Sequence, residues 1–359
     1  MNYRERLPAQ AGKIVSSAPG RAGIVGNPTD IYGGCVISCS VGMRANVVIT
    51  PHPTLSLITA NEEFIISKPA DLALRGDRYD IVRAVISHFN LLDEHCLIEY
   101  DSAIPSNSGL AGSTALMVAL VQGLLARQNR LPHRYLLAET ARYIELHGLK
   151  ITCGYQDAYM TTFGGLNFMD FRGKLSNRPL EEELYAAIEP LACLPETSGL
   201  RVQTAGQAPF LKNAQELPFL LARTPVKRVS GAVHKPLRER WLAGEPAVVQ
   251  GYQRIAELAQ LGKKALLNED WPQLGALMNE NHEIQRNLGG SGESNERLIA
   301  AALGAGALGA KLAGAGEGGT IIALWPHKDF SPLETALHDA GAAALYRPVI
   351  DVGAVVEVE

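Results

Sequence analysis

The sequence predicts a fold that mixes strands with helices, and three observations carry that prediction. Two β-branched runs near the N-terminus, residues 14–26 and 35–60, are punctuated by Gly and Pro in the manner of strands and turns. The apolar run TALMVALVQGLLA, residues 114–126, has helical length and follows the strand-like CLIEYDSAIP of residues 96–105. Residues 246–287 have the spacing of two amphipathic helices, with Asp270, Trp271 and Pro272 marking the break between them.

Taken in chain order, the first segment of chemical interest is SAPGRAGIVGNPTDIYGG, residues 17–34. Arg21, Asn27, Thr29 and Asp30 stand among turn-favouring residues, which suits a loop presenting hydrogen-bonding groups to a hydroxylated ligand. An Asx-type turn with solvated charges has the same composition. The next is PSNSGLAGSTA, Pro105 to Ala115. Gly109 and Gly112 let the backbone approach an anion, and Ser113 and Thr114 open the helical run, so phosphates would sit at a helix N-terminus where free amides and the dipole favour negative charge. A plain loop with a capping Ser reads alike. Helical segments follow at residues 114–130 and 133–149, and YQDAYMTTFGGLNFMDF, residues 155–171, reads as a turn into a strand. The Pro, Gly and small polar residues of 191–210 make the best domain boundary. Late in the chain, KLAGAGEGGTIIALWP, residues 311–326, places a glycine loop between an Ala-rich helix and a β-branched run. GAGALG, Gly304 to Gly309, fits GxGxxG, but a dinucleotide site needs strand, glycines and helix in that order, and here the order is reversed. Close packing of backbone elements would also call for such glycines.

Composition narrows the function. With 359 residues, 47% of them hydrophobic and 19% charged, the chain has apolar material for one large domain or two modest ones. A net charge of -4 with no Lys/Arg run gives no long-range attraction to nucleic acid or an anionic membrane, so any anion site must be local. The five cysteines show no CxxC pair and no zinc-like spacing, which suits buried thiols in a reducing compartment. The N-terminus has no apolar signal core, and the longest apolar stretch, residues 298–315, is rich in Gly and interrupted by Lys311. The expectation is a cytoplasmic enzyme.

The ordered triplet of an N-terminal PGR…G…D segment, a central P…GL.GS.A loop and a late KL.GAG.GG loop resembles the three motifs of the GHMP kinases. That resemblance implies a two-lobed α+β fold, here divided as 1–197 and 198–359, with ATP and Mg²⁺ and phosphoryl transfer to a small-molecule hydroxyl. Carried over by motif position, it implies a nucleotide site at Pro105, Ser108, Gly109, Leu110, Ala111, Gly112, Ser113 and Thr114, with Gly314 and Gly316 from the late loop. Ser113 and Glu145 would hold magnesium, an ion that takes few protein oxygens and shares the rest with phosphate and water. Glu139 competes with Glu145 for that role. Asp157 resembles the family's catalytic base, and Arg21 its cationic partner.

Asn27, Asp30, Tyr32 and Asp157 are the expected sugar contacts. The GNPTD of residues 26–30 lacks the acidic and imidazole side chains that galactokinases carry there, which disfavours galactose. Residues 21–38, 230–246 and 265–286 resemble glucuronokinases, whereas residues 144–171 and 306–319 also resemble heptose phosphate kinases. Both belong to a branch that phosphorylates the anomeric hydroxyl. A glucuronate site needs a cation for the sugar carboxylate, and Arg44, Arg172 and His234 are candidates. Glu317 departs from the small residue more usual in the late loop. A sugar sensor that kept the fold and lost catalysis is disfavoured because Ser113, Glu145, Asp157 and Arg21 are all present. Monomer and homodimer both remain open.

Overall fold

The computed structural model describes residues 12–59, 62–174, 178–192, 217–226, 234–314, 316 and 318–359. The first half forms β1 (Ile14–Val25), β2 (Cys35–Pro51), β3 (Leu55–Thr59), β4 (Glu62–Ile66), α1 (Asp80–Phe89), β5 (Cys96–Ser102), α2 (Gly112–Arg127), α3 (Arg134–Tyr143), α4 (Gln156–Phe163), β6 (Leu166–Asp170) and β7 (Ala187–Pro190). The second comprises β8 (Phe219–Arg223), α5 (His234–Leu242), α6 (Pro246–Leu267), α7 (Trp271–Asn287), α8 (Glu293–Gly304), β9 (Gly309–Leu312), β10 (Thr320–Leu324), α9 (Ser331–Asp339), β11 (Ala344–Tyr346) and β12 (Val355–Val358). No helix among the described residues is long and apolar enough to cross a membrane.

Two sheets result. The larger runs β12–β1–β2–β5–β3–β4, with β6 and β7 added beside β2, and the smaller runs β11–β8–β10–β9. One end of the long β2 pairs with β6 at Cys35–Cys39 and the other with β5 at Ala45–Pro51, so a single strand spans the sheet's two wings. The final strand pairs antiparallel with β1, at Ile14↔Val358 to Ser17↔Val355. A strand from beyond the boundary expected at residue 197 therefore completes the first sheet.

Helix α2 is buried along nearly its whole length, which its apolar sequence requires. It lies close to β1 because Gly123 has no side chain: a Cβ there would come within 2.6 Å of Ser16 Oγ and 3.1 Å of Ile49. The main core continues from this layer into α6 and α7 through Leu258, Leu266, Leu274 and Met278. A second core, with Leu220, Ala302, Ile321 and Leu333, fills the space between the smaller sheet and α8 and α9.

Three local expectations change. Residues 17–25 are part of β1, so Arg21 projects from a sheet and not from a loop. Residues 156–163 form helix α4 and not the expected turn, and Tyr155, Tyr159 and Phe163 lie four apart on one helical face against Tyr135 and Phe171. Strand β9 separates α8 from the late glycines, so that loop closes a β9–β10 hairpin. The boundary segment expected at 191–210 lies outside the described residues beyond position 192.

Candidate active site

The cradle begins where β5 ends. Asn107 (φ 56°), Gly109 (φ 74°) and Ala111 (φ 61°) all take left-handed backbone, turning the chain tightly into α2. No side chain caps the start of α2, leaving its first amides to a ligand. Ser108 Oγ is buried without a partner at the same place, facing a cavity of about 330 Å³. An uncapped helix N-terminus beside an orphaned hydroxyl fits the phosphates of a nucleotide. Pro105, Ser108, Gly109, Ala111, Gly112 and Ser113 line this cavity. Leu110 and Thr114 do not: Leu110 is fully buried, with its carbonyl accepting from Arg21 N at 3.0 Å, and Thr114 Oγ1 donates to Glu145 Oε2 at 3.1 Å.

The late glycine hairpin touches the cradle backbone to backbone. Thr320 Oγ1 donates to Ser108 O at 2.8 Å, and a Cβ on Gly314 would stand 2.8 Å from Gly109 O. Gly314 lines the cavity, whereas Gly316 (φ 100°) packs on Gly290, where a Cβ would come within 2.0 Å of the carbonyl. For Gly316 the glycine requirement is thus packing. Glu317 is outside the described residues. Gly314→Ala is expected to cost about 1–3 kcal/mol in stability and to raise KM for ATP, because the two loops must part. Thermal melting and ATP titration check this, and a variant matching wild type in both would show that the contact is soft.

Arg21 joins the two loops to the chemistry. Its Nε and Nη2 donate to Asp157 Oδ1 at 2.8 and 2.5 Å, and Nη1 donates to Gly109 O at 2.6 Å and Ala313 O at 3.4 Å. The guanidinium side chain is 7% exposed and the Asp157 carboxylate 35%, so the pair is anchored from behind and open toward the cavity, which both residues line. Asp157 sits in the first turn of α4, and Asp30 holds that turn: its Oδ2 accepts from Tyr155 N at 2.7 Å and Gln156 N at 2.9 Å. Burial pushes the Asp30 carboxyl above its usual range. Asp30 still lines the cavity, so it positions the Asp157 turn while remaining within reach of a ligand.

Glu145 lies on a single π-helical turn, Ile144–Gly148, that follows α3, a distortion common at functional sites. It lines the cavity, and burial, then Asp157, raise its carboxyl to about 7. Glu139 points elsewhere, into a buried cluster where Lys174 and the Tyr159 hydroxyl bond to it. Of the two, only Glu145 reaches the wall that carries Ser113. Two oxygen-bearing side chains beside the phosphate cradle fit a magnesium ion that keeps phosphate and water as its other ligands.

Two of the expected sugar contacts have their side chains engaged by the protein itself. Asn27 lines the cavity, yet its amide is committed: Nδ2 donates to Leu312 O and Gly314 O at 3.3 and 3.2 Å, and Oδ1 accepts from Lys311 Nζ at 2.6 Å. Tyr32 stacks on Tyr252 at 4.3 Å and packs against Trp241 at 5.1 Å, forming part of a hydrophobic cluster behind the site. The candidate carboxylate readers are also engaged elsewhere. Arg44 binds Asp351 at 2.8 Å and Arg172 binds Asp170 at 2.5 Å, while the side chain of His234 falls outside the description.

Reading the sequence missed Gln156, Cys153 and Lys311. Gln156 lines the cavity and donates through Nε2 to Ser38 Oγ at 2.5 Å, and Cys153 lines it with its thiol raised well above the usual range by burial. Lys311 had a visible signal, a lone charge in a long apolar run.

Comparison with known proteins agrees with this geometry. Residues 78–165 match the GHMP kinases N-terminal domain and residues 263–343 match the GHMP kinases C-terminal domain. Glucuronokinase 1 of Arabidopsis thaliana is 28% identical over 335 residues, covering 85% of this chain and 83% of that protein. The D-glycero-alpha-D-manno-heptose 7-phosphate kinase of Campylobacter jejuni is 23% identical over 324 residues, covering 86% and 88%. In three dimensions, Lactococcus lactis galactokinase complexed with galactose superposes with a TM-score of 0.75 at 17% identity, covering 96% of this chain and 95% of that one. Two family domains in the family's order, the shared fold, and a cradle joined through Arg21 to a carboxylate lead to one conclusion: the chain belongs to the GHMP kinase family and is a phosphotransferase.

Proposed function

We propose that this kinase transfers the γ-phosphate of ATP to the anomeric hydroxyl of a sugar, with glucuronate as the substrate and glucuronate 1-phosphate as the product. The observation that carries the reaction is the Arg21–Asp157 pair, which stands where the phosphate cradle, the glycine hairpin and the Asp30 turn converge. The substrate rests on the similarity to glucuronokinase, which extends over most of both chains.

In this reading Asp157 accepts the proton of the sugar hydroxyl through its other oxygen, Oδ2, as the hydroxyl oxygen attacks the γ-phosphorus, and ADP leaves with the electrons of the broken P–O bond. Arg21 keeps Asp157 oriented, and through Gly109 O and Ala313 O it ties the position of the base to that of the phosphates. Ser113 and Glu145 would hold Mg²⁺, which supplies positive charge across the phosphate oxygens. The first amides of α2 and the Ser108 hydroxyl bind the phosphates. The Asp30 turn and Gln156 wall the sugar side.

One observation favours a second reading, a neutral sugar. Among the described residues of the wall, Arg21 is the one cation, and it is bound to Asp157, while Asp30, Glu145 and Asp157 make that wall acidic. A substrate carboxylate would need a cation from another part of the chain. The discriminating experiment is ATP consumption with Mg²⁺ against free sugars, uronic acids and phosphorylated heptoses, with phosphorus NMR to locate the product phosphate. Turnover on glucuronate with an anomeric phosphate is the expected result. Turnover confined to a heptose phosphate or a neutral sugar overturns the substrate and keeps the reaction, and no ATP use with any sugar overturns both.

A further inference from the structure

Lys311 is fully buried in β9, and no carboxylate pairs with it among the described residues. Its ammonium donates to Asn27 Oδ1 at 2.6 Å and to Leu312 O at 2.6 Å, both neutral acceptors. The charged groups around it offer no compensation. Arg21 of β1 carries the same sign, and His282 of α7 is turned toward Glu296 of α8, with Nε2 2.9 Å from Oε1. Across the sheet its neighbour on β10 is the apolar Ile322. A lone cation in a core is costly, and a Met of similar length would fill the same space without that cost.

What the lysine does there is fix an amide. Because Oδ1 of Asn27 is held by Nζ, its Nδ2 must face Leu312 O and Gly314 O, which lashes the turn that carries Asp30 to the hairpin that carries Gly314. We propose that Lys311 is a positioning residue for phosphoryl transfer, acting through Asn27 to lock the sugar-side turn to the nucleotide-side hairpin, and that it gains a proton when nucleotide phosphates enter the cavity. The proposal rests on the reading that a sugar and ATP meet in this cavity. Burial and then Arg21 lower the lysine to about 7 in the free protein, and phosphate charge beside Gly314 favours the ammonium form. Proton uptake then strengthens a tie that the free protein already makes.

The test compares wild type, Lys311→Met, Asn27→Ala and the double variant. Lys311→Met is expected to melt at or above the wild-type temperature near neutral pH, since it removes a buried charge, yet to lose about tenfold or more in kcat/KM for the sugar. Binding of a non-hydrolysable ATP analogue, followed by calorimetry in two buffers of different ionisation heat, should show proton uptake in wild type and little in Lys311→Met. The double variant should lose no more activity than the worse single, because both act on one contact. Unchanged sugar kinetics, proton uptake that survives in Lys311→Met, additive losses, or a lower melting temperature for Lys311→Met would each overturn the proposal. Melting and analogue binding need no turnover, so they remain readable if the proposed sugar proves wrong.

Discussion

Asp157→Asn is expected to lower kcat by about 10²- to 10⁴-fold while leaving the KM for ATP within about threefold of wild type, the range that removal of a general base produces. The amide keeps the size of the carboxylate and can still accept from Arg21, so the cradle and the hairpin should hold their places. What it loses is the capacity to take the sugar's proton at Oδ2. Steady-state kinetics with the best sugar of the panel measure the effect. Turnover within about threefold of wild type with unchanged binding would remove Asp157 from the role of base.

The second large effect separates function from stability. Glu145→Gln is expected to abolish most magnesium-dependent turnover and yet to make the metal-free protein more stable at high pH. The folded carboxyl titrates at about 7 against an ordinary 4.5, so the folded state holds a proton that the unfolded chain releases. Stability from this group is fully present below 4.5 and is lost as pH rises through about 7. A shift from 4.5 to about 7 corresponds to roughly 3 kcal/mol of penalty at about pH 8 for an almost fully buried group. Glutamine removes that penalty and still accepts from Thr114 Oγ1. In EDTA the variant should therefore melt a few degrees above wild type at about pH 8 and close to it at about pH 4.5. Equal melting temperatures at both pH values would mean that the carboxyl is not desolvated in the free protein.

The stability cost at Glu145 and the lone charge at Lys311 have the same physical origin. Each buries an ionisable group where an apolar or neutral side chain would stabilise the fold more, and under the proposed function each would find its complement in a ligand. Arg21 differs, since its partner Asp157 is built into the chain.

The legible parts of this protein were those whose signals are local. Helices α6 and α7, with their break at Asp270, could be read from periodicity and capping, and Asp270 does cap α7 by accepting from Gln273 N at 3.1 Å. The strand, glycine turn and apolar helix of the cradle were equally readable, because left-handed backbone selects glycine and a buried helix must be apolar throughout. Helix α4 was not. Its short span ends in two glycines, and its start is held by the carboxylate of Asp30, more than a hundred residues earlier in the chain.

The sequence by itself therefore determined the family's three motifs, their order, and the residue types that the proposed phosphate and metal chemistry would require. Only the tertiary structure decided how those residues are used. It directed Thr114 into Glu145, placed Tyr32 in an aromatic cluster, committed the amide of Asn27 on the cavity wall to a tie between two loops, and brought the final strand beside the first. Spacing along a chain reports which groups can share a local turn or face. Which of their hydrogen bonds are already satisfied depends on partners that folding brings from hundreds of residues away, and no local pattern encodes that.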